Sequence, residues 1–153
     1  MRLNLVEKML GSGFYTGYSP LASGTLASAV ALAIYFIPGF EKSYVLIPFI
    51  IIFFLVGIPI GTKFEKEYGK DPSECTIDEF AGMWLSLLFI PKTITYAIVC
   101  FFIWRFFDII KPYPAKSLEK IDGGLGIMID DFVAALYSLV TVHAIIFLIN
   151  RFG

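Results

Sequence analysis

Long apolar runs separated by short polar loops dominate this chain. A polar, glycine-rich stretch, Gly11 to Thr25, leads into a first apolar run from about Leu26 to Ile37. Pro38-Gly39-Phe40-Glu41-Lys42 reads as a turn. A second run, about Tyr44 to Ile60, is long enough to span a bilayer. The charged loop Thr62 to Thr76 follows, and its first half, Lys63 to Tyr68, is expected to continue the helix into water. The next stretch, Phe80 to Phe107, is apolar except for Lys92 and Arg105, and Pro91-Lys92-Thr93 interrupts it. A second polar loop, Ile110 to Ile129, carries Lys111, Lys116 and Lys120. A last apolar helix is expected from about Phe132 to Ile149.

The stretch after the charged loop decides the topology. As one helix, Phe80 to Asp108 would measure ~44 Å at 1.5 Å per residue, against a hydrocarbon core of roughly 30 Å. It would also put Asp78-Glu79 and Asp108 on opposite sides of the membrane. A hairpin turning at Pro91-Lys92-Thr93 returns both acidic ends to one side. Pro91 disfavours helix at Ile90, and Lys92 can snorkel at the turn. The first arm, Phe80 to Ile90, is then only ~16 Å long, a partly inserted helix whose end neighbours must cover. The expected fold is all-α: one domain over residues 1–153, a small polytopic membrane bundle of about four to five apolar helices, one a hairpin broken at Pro91. The lysine-rich loops, with Arg2 and Lys8, are expected on the cytoplasmic side.

Composition agrees with a membrane protein. Of 153 residues, 58% are hydrophobic, and the mean hydropathy is +0.78, well above a soluble domain. A net charge of −1 gives no sign of a nucleic-acid partner. Cys75 and Cys100 form no CxxC pair and no disulfide framework. Met1 to Ser12 lacks the apolar core and cleavage site of a signal peptide, so the first apolar helix is expected to act as the membrane signal.

Five acids border the apolar runs, in Thr76-Ile77-Asp78-Glu79, Arg105-Phe-Phe-Asp108 and Ile129-Asp130-Asp131. Carboxylates are expensive at a membrane boundary unless they pair, bind metal or do chemistry. Thr76 with Glu79 fits a capping box, which would account for Glu79 without function. Asp130-Asp131 precedes the expected last helix, where its dipole favours an acid; one aspartate suffices as a cap, and two repel unless a cation or proton intervenes. Asp108 sits at the helix end that disfavours an anion, unless an ion pair with Arg105 or Lys111 holds it. Oxygen-only ligands suit a hard cation, and Mg²⁺ shares phosphate oxygens with its substrate. Arg105, Lys111 and Lys116 are candidate phosphate holders, and Ser23-Gly24-Thr25 could offer backbone N–H groups or simply cap the first helix. His143, the only histidine, lies away from the acids and reads as a satisfied interior group. Cys100, inside an apolar run, is a poor nucleophile.

These residues also carry a resemblance. Gly17-Tyr-Ser-Pro20 with Gly24-Thr25, Asp78-Glu79-Phe-Ala-Gly82-Met-Trp84, Phe102-Ile-Trp-Arg105-Phe-Phe-Asp108-Ile-Ile-Lys111-Pro112-Tyr-Pro114, and Gly123-Gly-Leu-Gly126-Ile-Met-Ile-Asp130-Asp131 resemble the bacterial phosphatidylglycerophosphatase A family over about Gly11 to Ala135. Ser23 and Ala27 depart from its pattern, where proline and glycine are usual. The resemblance implies a Mg²⁺-dependent phosphatase of the bacterial cytoplasmic membrane, multi-pass, with its site facing the cytoplasm. The substrate would be the phospholipid phosphatidylglycerophosphate. Asp78, Glu79, Asp108, Asp130 and Asp131 would hold one or two metal ions, and Asp78, Asp108 and Asp131 would be catalytic, either with Asp131 or Asp78 as base toward a water or with an aspartate attacking directly. Arg105, Lys111 and Thr25 would hold the phosphate. The rival readings are a small transporter or channel binding a cation, a structural membrane subunit, and an enzyme using CDP-activated lipids. The last lacks the Ala-Arg pair expected after Asp122-Gly123. Oligomeric state is not legible.

Overall fold

The computed structural model describes residues 2–153 and is all-helical, without strands among the described residues. Seven α-helices follow in order: α1 (Leu5–Gly11), α2 (Ser23–Tyr35), α3 (Ser43–Tyr68), α4 (Ile77–Ser86), α5 (Ile94–Ile110), α6 (Ala115–Leu118) and α7 (Gly124–Phe152). A 3-10 turn, Thr16–Tyr18, lies between α1 and α2. α1 carries a capping box from Asn4 and Glu7 that the apolar pattern does not signal.

α4 is the centre of the bundle. All ten of its residues are buried, packed among α2, α3 and α7. Phe80, Met83 and Trp84 supply its bulk, and Phe53, Phe40 and Phe49 pack around Trp84. Burial of this aromatic cluster is a large favourable term. α4 ends at Ser86, short of the Ile90 expected from sequence. Phe89 has a φ of 61° and the chain re-enters helix at Ile94, with Thr93 capping through its side chain. Phe80 to Asp108 is therefore not one continuous helix.

α3 runs through Pro48 and Pro59 to Tyr68, as the charged continuation Lys63 to Tyr68 led one to expect. α7 begins eight residues before the expected Phe132. Its start is capped from another helix: the backbone N–H of Gly123 donates to the Glu65 carboxylate, and that of Gly124 to Thr62 Oγ1 at 2.8 Å. Gly124 allows this approach, since a Cβ there would lie 1.9 Å from the Ile58 carbonyl oxygen. In consequence Asp130 and Asp131 sit inside α7, about two turns from its start.

The two ends of the bundle differ. Lys92, between α4 and α5, pairs with Glu41, between α2 and α3, at 2.8 Å. The acidic motifs gather at the opposite end, described below. α3 and α7 are long and apolar enough to cross a membrane, and only 28% of each apolar window is buried. The core helix of a soluble protein would be mostly covered. Here Ile51, Ile52 and Leu55 on α3, Phe102, Phe106 and Ile109 on α5, and Val140 and Phe147 on α7 face outward, which makes this a membrane protein.

Candidate active site

The three acidic motifs meet. Asp78 and Glu79 lie in the first turn of α4, Asp108 in the last turn of α5, and Asp130 and Asp131 in α7, and all five are buried. Carboxylate oxygens of Glu79, Asp108 and Asp131 lie within 4.8 Å of one another. Asp78 faces the same cluster, with Glu79, Asp130 and Asp108 as electrostatic neighbours.

Two cations enter this cluster. Arg105 Nη1 donates to Glu79 Oε2 at 2.6 Å and to Asp108 Oδ2 at 2.5 Å. The i,i+3 partner of Asp108 is thus Arg105, and this pair overcomes the unfavourable end of the α5 dipole. Lys111 turns to α7 instead, donating to Asp130 Oδ2 at 2.5 Å and lying 3.8 Å from Asp131. Burial alone would lower the Lys111 pKa, but Asp131 and Asp130 more than reverse it and hold the ammonium above the ordinary lysine range.

The bland accounts of the acids fail on geometry. Thr76 is the N-cap of α4, but its side chain makes no cap bond; its hydroxyl pairs with that of Thr16 at 3.2 Å. Glu79 does not reach back to close a capping box and bonds to Arg105 and Ser28 instead. Asp130 and Asp131 do not cap α7, because the helix starts earlier. Ser23 and Thr25 do not cap α2 either. Its N-cap is Ala22, and the Ser23 hydroxyl donates to the Ser73 carbonyl.

Of the expected phosphate holders, Arg105 and Lys111 are in the cluster. Lys116 is exposed on α6. Thr25 is half-buried in the first turn of α2, beside Gly24. A Cβ on Gly24 would fall 2.2 Å from Glu79 Oε1 and 3.2 Å from Arg105 Nη2, so the start of α2 closes over the acids. His143 bonds the Leu139 carbonyl of its own helix, and Cys100 is buried against the Ser86 carbonyl. Sequence reasoning missed Ser28 and Trp104, which hydrogen-bond in series to Glu79. A serine inside an otherwise apolar run was the available signal. It also passed over Asp71, an electrostatic neighbour of Asp78, Asp130 and Lys111 that resembles any other loop charge.

The residues fit a divalent cation. Five carboxylates face only two cations, and Asp78 Oδ1 and Asp131 Oδ2 are buried with no hydrogen-bond partner among the described residues. Buried polar atoms without partners are rare, and a cation bound among the acids would satisfy both of these oxygens. An all-oxygen donor set is the kind that Mg²⁺ takes.

Fold and site together define a small helical membrane protein with a carboxylate-rich polar centre at one end of its bundle. The family model "Phosphatidylglycerophosphatase A" matches residues 9–146, and the chain belongs to that family. It is accordingly a phosphatase, a phosphoric monoester hydrolase. A Bacteroides thetaiotaomicron protein, provisionally named a phosphatidylinositol-3-phosphatase, is 35% identical over 92% of this chain and 94% of its own length. Escherichia coli phosphatidylglycerophosphatase A is 31% identical over 85% of this chain and 77% of its own length. The Haemophilus influenzae protein of the same name is 39% identical over 60% of this chain and 58% of its own length. No solved structure matches significantly.

Gly24→Ala tests the closure of α2 on the acids. The added methyl must push the end of the Glu79 side chain aside, and the gain in helix propensity offsets only part of that, so the melting midpoint should fall modestly while the fold is kept. Phosphatase activity should fall on the order of 100-fold, since small displacements of catalytic groups cost that much. Unchanged turnover would show that Gly24 does not border the working site.

Proposed function

We propose that this protein hydrolyses phosphatidylglycerophosphate to phosphatidylglycerol and inorganic phosphate, with Mg²⁺. The observation that carries this reading is the convergence of five buried carboxylates, Arg105 and Lys111 at one end of an apolar bundle. The names of the Escherichia coli and Haemophilus influenzae relatives support the substrate.

Glu79, Asp108 and Asp131 would hold Mg²⁺, with Asp78 and Asp130 beside them; bound there, the ion offsets charge on the phosphate oxygens and orients an attacking water. Arg105 and Lys111 hold the remaining phosphate oxygens, Arg105 with two donors and Lys111 as a point charge. Thr25 and the free backbone N–H groups at the start of α2 add donors. Asp131 or Asp78, each with one unpartnered oxygen, takes the proton of the attacking water as general base. The bond from phosphorus to the glycerol oxygen breaks, and that oxygen leaves as the alcohol, taking up the proton that the base received from water. The acyl chains stay in the bilayer, so the site need receive only the headgroup.

The chain is multi-pass in a bacterial cytoplasmic membrane, in this reading, with the acids facing the cytoplasm. The lysine-rich loops lie on that side. α4 and α5 act as a hairpin whose turn, with Pro91 and Lys92, belongs to the opposite end beside Glu41. A transporter needs acids spread through the depth of the bilayer, whereas these five gather at one end.

A second substrate has one specific support, the phosphatidylinositol-3-phosphatase name of the 35% identical relative. Phosphate release from purified protein with Mg²⁺ separates the two. Phosphatidylglycerophosphate should be hydrolysed well above phosphatidylinositol-3-phosphate and soluble phosphomonoesters, and Asp108→Asn should lose about 100-fold or more, on the scale of losing a positioned electrostatic group. Preference for the inositide would replace the substrate, and full activity of well-folded Asp108→Asn would sink the site. Topology has its own check. Cys75 and Cys100 are buried, so an impermeant maleimide should report on Lys92→Cys alone. Labelling is expected only from the non-cytoplasmic side, and cytoplasmic labelling would refute the orientation.

A further inference from the structure

Glu79 is held by more than Arg105. Ser28 on α2 and Trp104 on α5 are both fully buried. The Ser28 hydroxyl donates to Glu79 Oε2 over 3.0 Å, and Trp104 Nε1 donates to the Ser28 oxygen over 3.0 Å. An indole N–H can only donate. It therefore occupies an acceptor position on the hydroxyl and leaves the hydroxyl proton for the carboxylate. A serine inside a helix commonly turns its hydroxyl back to the carbonyl four residues earlier; this one bonds across to α4. Oε2 also receives Arg105 at 2.6 Å. With two donors on Oε2, Oε1 is the freer oxygen, and it points to Gly24.

We propose that Ser28 and Trp104 are positioning residues that fix the Glu79 carboxylate so that Oε1 is presented to a divalent cation. The proposal rests on the metal reading of the site. Arg105 alone is a poor anchor, because Asp108 shares it and the substrate phosphate competes for it. Ser28 has no such second demand. When phosphate draws on Arg105, the Trp104–Ser28 pair keeps Glu79 in place. Partners behind a metal ligand orient it and tune its affinity in this way.

The test uses Mn²⁺ as probe, titrated into the chelator-treated full chain in detergent and read by electron paramagnetic resonance. Loss of such a partner typically weakens metal binding roughly 10–100-fold. Ser28→Ala should weaken Mn²⁺ binding about 10-fold or more, Trp104→Phe should weaken it less, and Ser28→Thr should return it toward the wild-type value. Melting of the metal-free protein separates structure from positioning. A merely structural role lowers that midpoint and leaves the affinity of the folded protein unchanged. Trp104→Phe keeps an aromatic ring in place and carries the test where Ser28→Ala does not fold. Wild-type Mn²⁺ affinity in the folded variants overturns the proposal. A wild-type protein that binds no Mn²⁺ overturns the metal reading beneath it.

Discussion

The burial of charge at one end of an apolar bundle is the constraint on which this structure turns. α4 is covered on every side, so the two acids in its first turn are carried inside with it. An isolated buried carboxylate is strongly unfavourable, and it persists only with partners that offset its charge. Arg105 and Lys111 supply two such partners, each serving two acids. That leaves the cluster negative, with two orphaned carboxylate oxygens. That excess negative charge is what a divalent cation would offset, and the cation would in turn let a phosphate anion enter. In the proposed reading, stability and function therefore meet in the same residues.

The surrounding fold sets the depth and spacing of this cluster. Thr62 and Glu65 of α3 cap the start of α7, and Gly124 lets the helices approach closely. Those contacts fix where α7 begins, and so how far in Asp130 and Asp131 lie. α5 brings Arg105 and Asp108 on adjacent turns of one face. α2 covers the cluster with Gly24 and reaches Glu79 with Ser28. The Lys92–Glu41 pair fastens the far end, where two interhelical turns meet. In the proposed reaction the acyl chains stay in the bilayer, so an enzyme built this way would need polarity only where the headgroup arrives.

The sequence made the acidic motifs, the apolar runs and the break between Phe80 and Asp108 readable, because each is a local pattern. Asp108 was informative since its helix position conflicts with the dipole, and the structure resolves that conflict with Arg105. The misreadings have one origin, tertiary contact overriding local signal. Thr76 and Glu79 match a capping box, yet each finds a partner on another element. Gly123 to Gly126 looks like loop, yet side chains of α3 cap it into helix. Ser28 and Trp104 stand 76 residues apart and Ser28 and Glu79 stand 51 apart, so no local pattern could pair them. α4 ends at Ser86, and Phe89, with a φ of 61°, lies in the turn between that end and Pro91.

The central claim is that the five carboxylates act through a divalent cation on a phosphomonoester. Its most direct measurement is phosphate release from phosphatidylglycerophosphate by chelator-stripped protein as Mg²⁺ is returned. The account predicts no detectable turnover in excess chelator and a saturable recovery as Mg²⁺ rises. Full turnover in the stripped protein would contradict it.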